Sequence, residues 1–446
     1  MIRAGAILAL AAGIAAAPKL RGAAPPAARA QKRGAGQTVN QTVERIPNPQ
    51  GELRAQIQAA LDKKDYVAAA PLLARYLEGA PGDAIAHFQL GYADTALERW
   101  TDAETEYRRA AQLDPKLAPA QLNLGLVLLR RDPAAAAGPL RQAAQLTPDQ
   151  PRPHMLLALA LERAGKPGDA VAEYRAAARL DDKNFDAHYE LARALLALGE
   201  AGQAEPEFRR ALELQPAAAD AQAGLAESLL EQKKNDEGAQ ALETYLQTRP
   251  ADEKARLRLI SALAESGKFD DALAQLDRIQ VPGPNELAAY RLRAQILLGR
   301  NQFADAVAPL MKTAQLAPND PAVHAQLGHA LVKLQKFTPA TPELIRAVQL
   351  DPKDTQAWND LVVAQDMSGN WAGALDALDH LEQIEPLSPI SWFLRASCND
   401  HLNRLADAIA AYRKFLQVDD GRFLTEEEES RRRLPVLEDL LKHQKR

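Results

Sequence analysis

Histidines are the residues of this chain best suited to bind a metal ion or to transfer a proton near neutral pH. The chain has eight, and four of them, His87, His154, His188 and His324, are separated by one or more intervals of about 34 residues. No His-Glu-x-x-His sequence is present, and no other cluster of histidine and carboxylate has the spacing of metal ligands. At the same interval other segments carry aromatic rings, namely Tyr290, Trp358 and Trp392. We therefore predict that the imidazoles fill an aromatic packing position.

The residues that could be nucleophiles or phosphate-binding loops are also better explained by structural roles. Cys398 is the only cysteine, which excludes an internal disulfide and a cysteine-based zinc site. A buried, inert thiol is favoured for it. Gly165-Lys166 and Gly267-Lys268 lack the preceding glycine of a phosphate-binding loop and are interpreted as turns. No serine lies in a Gly-x-Ser-x-Gly context. The sequence thus predicts a protein without catalytic, metal-binding or cofactor-binding residues.

The composition predicts an almost entirely helical chain. Of its 446 residues, 47% are hydrophobic but only 5% are aromatic, and alanine accounts for much of the difference. Alanine is the best helix former and allows helices to approach closely. The formal net charge is −5, so no broad basic face is implied, and nucleic acid is not expected as the main partner.

These residues are positioned by a repeat. The segment Ala84–Leu117 contains two short amphipathic helical patterns, and its features recur every 34 residues from about residue 50 to 422. A period of this length is typical of a solenoid, in which each unit contacts mainly its neighbours. We place eleven units near 50–83, 84–117, 118–150, 151–184, 185–218, 219–252, 253–286, 287–320, 321–354, 355–388 and 389–422.

The repeat pattern has a packing explanation. Counting Ala84 as position 1, position 20 is alanine or glycine in each unit from this one onward, and position 8 is small in most units. Two helices of a hairpin can cross at short distance only where side chains are small. Leucine at position 7 predicts a continuous core, and proline at position 32 ends the second helix.

This pattern resembles that of the tetratricopeptide repeat family. The matching residues in Ala84–Leu117 are His87, Leu90, Gly91, Ala103, Tyr107, Ala110 and Pro115. The resemblance implies an all-α, right-handed α-solenoid of about eleven helix-turn-helix units. It also implies that the first helices line a concave groove that binds peptides or helices of partner proteins. The Lys/Asn clamp by which some family members hold a terminal carboxylate is not reproduced at matching positions.

Groove positions inferred from this resemblance give an apolar early groove with a basic margin. The candidates for partner contact are Phe88, Tyr92, Leu122, Leu126, Arg130, Met155, Leu159, Arg163, Tyr189 and Arg193. The alternative is that these side chains only pack within and between units. We expect Phe88 and Tyr92 to matter most.

Several departures from the pattern predict local features. The unit 118–150 is one residue short and has Asp132-Pro133 at its turn, so its second helix should start with proline in the first turn. Gln280–Pro284 replaces the usual end of a unit, and Arg293 stands where leucine is expected. We expect the stack to be weakened there, which makes this segment the best candidate hinge.

Residues 423–446 are predicted to form a capping helix. Thr425 is expected as N-cap, with Glu428 completing a capping box. Glu427, Glu428 and Glu429 should pair with the arginines four residues on, and the leucines should cover the end of the stack. A break near Pro435 is a possibility that the sequence raises.

The N-terminus predicts export. Arg3 precedes an apolar run ending at Ala17, which has the length of a signal-peptide core, and Ala28-Arg29-Ala30 fits a cleavage site. We assign residues 1–30 to a signal peptide and 31–49 to a flexible linker, with no membrane span after cleavage. An uncleaved anchor and a chance alanine-rich tail are the alternatives.

Together these features predict a non-catalytic, periplasmic or secreted scaffold in the assembly of bacterial envelope or secreted complexes, with other proteins as partners. The alternatives are a cytoplasmic adaptor and the substrate-targeting subunit of a multi-chain enzyme system.

Cell fractionation with N-terminal sequencing tests export. The mature protein is expected in the periplasm or culture fluid with Gln31 as its first residue, because cleavage after Ala30 follows the small-x-small rule. An intact N-terminus in the cytoplasm would contradict the assignment and favour the adaptor.

Overall fold

The computed structural model describes residues 49–444; the predicted signal peptide and all but the last residue of the predicted linker lie outside the described residues. The described residues form 23 helices and no strand, which confirms the all-α solenoid expected. The helices are α1 (Pro49–Asp62), α2 (Tyr66–Gly79), α3 (Ala84–Ala96), α4 (Trp100–Leu113), α5 (Ala118–Leu128), α6 (Pro133–Leu146), α7 (Pro151–Arg163), α8 (Pro167–Leu180), α9 (Phe185–Ala197), α10 (Ala201–Leu214), α11 (Ala219–Glu231), α12 (Asn235–Thr248), α13 (Glu253–Glu265), α14 (Phe269–Leu276), α15 (Glu286–Gly299), α16 (Phe303–Leu316), α17 (Pro321–Lys333), α18 (Phe337–Leu350), α19 (Thr355–Met367), α20 (Trp371–Ile384), α21 (Pro389–His401), α22 (Leu405–Val418) and α23 (Leu424–Gln444).

The chain divides into two compact bodies at Lys233–Lys234. The N-terminal body holds α1–α11 and the C-terminal body holds α12–α23. In each body the helices form successive hairpins. The first helix of a hairpin, helix A, packs on the second, helix B, and helix B packs on helix A of the next hairpin. This boundary does not coincide with Gln280–Pro284. The hinge at that segment stays a prediction.

The turn between helix A and helix B contains one left-handed residue in ten hairpins. Its φ lies between +55° and +80° at Lys64, Glu98, Gly165, Gly199, Lys233, Gly267, Asn301, Gln335, Gly369 and Asn403. Gly165 and Gly267 are therefore turn residues, as predicted. The hairpin α5–α6 lacks this residue, and α6 begins at Pro133 with the Asp132 carboxylate accepting from Ala135 N at 2.9 Å. The predicted proline start is confirmed, and the missing residue of that unit lies in the turn.

Close helix crossing explains the glycines at position 8. A Cβ on Gly91 would lie 2.9 Å from Cδ1 of Tyr107, at position 24 of the same hairpin. A Cβ on Gly328 would lie 2.4 Å from Cγ of Leu344, also at position 24. Both large side chains are wholly buried, so neither can move away without disturbing the core. A small residue on helix A thus sets the depth to which the large residue of helix B enters.

The segment after α14 departs from the repeat. Helix α14 is eight residues long, and the Glu253 carboxylate accepts from Asn285 Nδ2 at 2.6 Å, which ties the segment to α13. Arg293, expected to weaken the junction, donates to the Asp277 carboxylate instead of lying unpaired. An ion pair therefore stands where other hairpins place leucine.

The C-terminal helix corrects three expectations. Helix α23 begins at Leu424, and Glu427 N donates to Phe423 O at 2.8 Å, so Thr425 lies inside the first turn and forms no capping box. The helix continues through Pro435 to Gln444 without a break, although an interior proline removes one backbone donor and crowds the carbonyl four residues earlier. Of the predicted arginine pairs, Arg431 contacts Glu427, but Arg433 binds Asp400 with two hydrogen bonds of 2.7 and 2.9 Å.

The capping role fits the contacts of α23. Leu437 is wholly buried against the last hairpin, and Leu434 and Leu441 pack on the same cluster. Leu440, predicted on the apolar stripe, is 45% exposed. The apolar face is therefore narrower than the leucine pattern suggests.

The position 8 contact predicts the effect of one methyl group. Gly328→Ala should lower the free energy of unfolding of the C-terminal body by about 1–3 kcal/mol, because overpacking a filled core forces side chains off their rotamers. Urea denaturation followed by tryptophan fluorescence measures the change. Gly299→Ala is the matched control, since no atom lies within 4 Å of its Cβ position. Equal stability of the two variants would contradict the packing argument.

Candidate functional site

Helices A of neighbouring hairpins lie side by side in the N-terminal body, α5 against α7 and α9 against α11. We call the surface of helices α3, α7 and α9 that carries Tyr92, Leu159, Tyr189 and Arg193 the A-helix groove. All four are among the ten residues predicted to contact a partner. Contact with a partner at these residues stays a prediction.

Four of the ten predicted groove residues belong to the core. Phe88 is wholly buried, and Leu122, Leu126 and Met155 are each at most 9% exposed. The Phe88 ring packs 5.7 Å from the Tyr107 ring and 6.4 Å from the Tyr92 ring. Phe88 offers no surface to a partner; its position supports Tyr92 from below.

The partly exposed aromatic and aliphatic residues of the groove are Tyr92, Leu159 and Tyr189. Tyr92 meets Tyr66 edge to face at 5.8 Å, and Tyr189 stacks on Phe185 at 5.6 Å. Burial raises the pKa of Tyr92 and of Tyr189 above the usual phenol value, the second with help from Asp220 and Glu190. Both rings are thus held by neighbours and keep their hydroxyl protons.

The three arginines predicted to contact a partner differ in the interactions that they make within the chain. Arg193 donates to Glu162 at 2.6 Å and to Glu190 at 2.7 Å. Burial alone would lower the pKa of Arg193, but the two carboxylates outweigh it and raise the pKa above its ordinary value. Arg130 and Arg163 are exposed. Arg130 lies 3.9 Å above the Trp100 ring, a cation–π contact that leaves its hydrogen-bond donors available.

A contact that sequence reasoning missed supports these groove residues. The first residue of helix B is aromatic in several hairpins and reaches the next helix A, as in Tyr66–Tyr92 and Trp100–Arg130. The C-terminal body repeats it in Phe303–His329 and Trp371–His401. The available signal was an aromatic residue at position 17, followed 26 or 30 residues later by the side chain that it contacts.

The position 4 histidines are linkers as well as fillers. Nδ1 lies 2.6 or 2.7 Å from a glutamate 19 residues later in His87–Glu106, His154–Glu173, His188–Glu207 and His324–Glu343. Nε2 of His87 and of His324 lies within 3.2 Å of the carbonyl six residues earlier. Trp358 Nε1 donates to the equivalent carbonyl at 3.0 Å. The position therefore ties helix A to helix B and to the preceding turn.

Metal binding has no support in the part of the chain that is described. Within residues 49–444, no three His, Cys, Asp or Glu side chains are grouped so that they could hold a metal ion. In the same range, no helix is both long and apolar enough to cross a membrane.

Comparison with known families decides the nature of the repeat. Two sequence profiles, both described as tetratricopeptide repeat, match this chain; one matches residues 229–296, and the other matches 54–118, 88–151, 122–187, 155–209, 189–253, 326–389 and 369–422. Together they span well over half of the chain. The chain belongs to the tetratricopeptide repeat family. Tetratricopeptide repeats in general serve as scaffolds for protein–protein interaction.

Three solved structures match this chain at low sequence identity. YrrB, titled a TPR protein with an unusual peptide-binding site, is 18% identical over 41% of this chain and 95% of its own, with a TM-score of 0.39. MamA from Desulfovibrio magneticus RS-1 is 21% identical over 39% of this chain and 98% of its own, with a TM-score of 0.36. Naa15/Naa10 bound to HypK-THB matches at 17% identity over 86% of this chain and 68% of its own, with a TM-score of 0.38. No curated protein matches the sequence.

The thiol of the last tetratricopeptide repeat is buried. Cys398 has no exposed surface, and its Sγ lies 3.4 Å from the Asp366 carboxylate. Burial, together with that negative charge, raises the pKa of the thiol well above its usual value. The thiolate, which is the reactive form, is therefore disfavoured in the folded chain.

Thiol reactivity tests this environment. Ellman's reagent should label Cys398 of the native protein far more slowly than that of the urea-unfolded protein, because the native thiol is both shielded and protonated. Asp366→Asn, which removes the charge but keeps the shape, should raise the native rate less than unfolding does. Labelling of the native protein at the unfolded rate would show that the thiol is accessible.

Proposed function

We propose that this chain is an exported, non-catalytic scaffold in the assembly of bacterial envelope or secreted complexes. In this proposal, the A-helix groove binds an apolar segment of a partner protein that carries acidic residues at its edge. Membership in the tetratricopeptide repeat family supports the binding role. The apolar run that follows Arg3 supports export.

The observation that carries the proposal is the arrangement of the partly exposed groove side chains. Tyr92 and Tyr189 are aromatic anchors whose rings already pack on Tyr66 and Phe185. A partner that covers them loses little side-chain entropy, which is why rigid aromatic residues are frequent hot spots of interfaces. The groove thus has preorganised apolar contacts to offer.

Charge selects among possible occupants. Arg163 is exposed and makes no ion pair in residues 49–444, and Arg130 has only the Trp100 ring as a neighbour of its charge. Arginines without carboxylate partners attract an acidic segment and disfavour a basic one. Arg193, by contrast, is neutralised by Glu162 and Glu190 and contributes shape more than charge.

A binding role also fits the contacts made by the side chains that could take part in catalysis. Each of the four position 4 histidines is held by a glutamate, and His87 and His324 are also held by a turn carbonyl. The Cys398 thiol is buried, which favours its protonated form. These groups stabilise hairpins. The partly exposed residues of the groove are mainly aromatic, aliphatic and basic, which is the composition of an interface.

Co-purification of partners from the native host tests the groove. A Tyr92→Ser, Tyr189→Ser double variant should recover at least about tenfold less of the partner, because each truncated hot spot costs more than about 1 kcal/mol of binding free energy. Leu180→Ser is the matched control, since it removes a 40% exposed apolar side chain from helix B of the same body. Partner recovery that is equal for the double variant and the control would refute the groove.

A separate variant tests the contribution of the basic margin to partner capture. Arg163→Glu should weaken capture and reduce its sensitivity to salt, while leaving thermal unfolding unchanged. Phe88→Ser is unsuitable for this purpose, because removing a wholly buried ring costs several kcal/mol of stability and confounds binding with unfolding.

A further inference from the structure

A cavity lies in the C-terminal body, where helix A of one hairpin, α17, contacts helix A of the next, α19. Its volume is about 430 Å³, within the range of sites that hold a side chain or small ligand. Leu298, Phe303, Ala325, His329, Asp354 and Asp360 are among the residues that line it. None of them is among the ten candidates for partner contact, although His329 occupies the same repeat position as Tyr92.

Two contacts hold the walls of this cavity in place. His329 Nδ1 lies 2.8 Å from Oδ2 of the buried Asp360, which fixes the orientation of the imidazole. The Phe303 ring meets the imidazole edge to face at 6.0 Å. Because a carboxylate and an aromatic ring hold His329 from two sides, the wall is preorganised.

The cavity has an acidic lining. Asp354 and Asp360 line it, and no lysine or arginine does. Asp354 Oδ1 accepts from Ala357 N at 3.0 Å, and this hydrogen bond leaves its charge in place. Arg291, on the preceding helix A, is bound by Asp320 at 2.6 Å rather than by these carboxylates. The lining thus combines two acids with an imidazole, amides and apolar walls.

We infer that this cavity binds a lysine or arginine side chain of a partner protein. The carboxylates of Asp354 and Asp360 attract the cationic head, and the Phe303 ring adds a cation–π surface. Leu298 and Ala325 cover the aliphatic stem, which packs well on apolar surface. The inference rests on the proposed binding of partner proteins, and it adds a site whose charge preference is opposite to that of the A-helix groove.

Other uses of the His329–Asp360 pair are less well supported by its surroundings. The lining holds no serine, threonine or cysteine that the imidazole could activate as a nucleophile. Within residues 49–444, no three side chains form a metal-binding group, and this holds for His329, Asp354 and Asp360 as well. The pair therefore shapes and charges a binding cavity.

Titration of the full-length protein with small amides tests the cavity. The probes are N-acetyl-lysine methylamide and N-acetyl-arginine methylamide, and N-acetyl-norleucine methylamide is the uncharged control. The readout is the imidazole NMR signal of His329, assigned by its loss in His329→Gln. The basic probes should shift this signal saturably with a Kd on the order of 1–10 mM, as expected for so small a ligand. The norleucine probe should shift it little.

Variants separate the contributions of the wall. Phe303→Ala should weaken binding of the basic probes about two- to fivefold, by loss of the cation–π surface. Asp360→Asn keeps the shape but removes one charge, and it should weaken binding more than Asp351→Asn, which removes an exposed carboxylate outside the cavity. Thermal unfolding of each variant checks that the fold is retained.

Three outcomes would overturn the inference: equal shifts with the norleucine and lysine probes, no shift of the His329 signal with either basic probe, or equal loss of binding in Asp351→Asn and Asp360→Asn. None of these affects partner capture through Tyr92 and Tyr189, which is measured separately in the other body. Failure of this site and failure of the proposed function are therefore distinguishable.

Discussion

The contact between a small residue on helix A and a large buried residue on helix B is the constraint on which each hairpin depends. In Gly91–Tyr107 and Gly328–Leu344 the large side chain occupies the space that a Cβ would need. This contact sets the distance between the two helices, and that distance fixes where the next helix A can lie. The same distance also determines which polar and aromatic side chains meet at the edges of the hairpins.

Much of the fold was accessible from the sequence because it repeats local rules. The recurrence of small residues and prolines predicted the helical solenoid, and Asp132-Pro133 correctly predicted the start of α6. The C-terminal helix shows the limit of such rules. Thr425 matched a capping box, but the helix begins one residue earlier, and Arg433 preferred Asp400 on the preceding hairpin to Glu429 on its own helix. Local patterns do not reveal a partner that only folding brings near.

The candidate site was less predictable for a related reason. The family pattern predicted which residues of helix A face the groove. Whether such a residue is exposed depends on which side chains of helix B and of the next hairpin cover it. Phe88 is consequently buried under Tyr92, while Tyr66 and Trp100, which belong to preceding helices, became part of the groove margin. The cavity combines Phe303, His329 and Asp360 from three different hairpins, and no single repeat contains its pattern.

Different side chains at position 4 form the same hydrogen bond to the turn carbonyl in five hairpins. Histidine, tryptophan, glutamine and arginine each supply the N–H in different hairpins, through His324, Trp358, Gln222 and Arg256. What recurs is a donor atom at a fixed place in space, while ring shape, size and charge vary around it. Aligning this position by side-chain similarity would judge it variable. Aligning it by the atom that it delivers groups these hairpins together, and divergent repeats of this kind could be recognised by that criterion where residue identity fails.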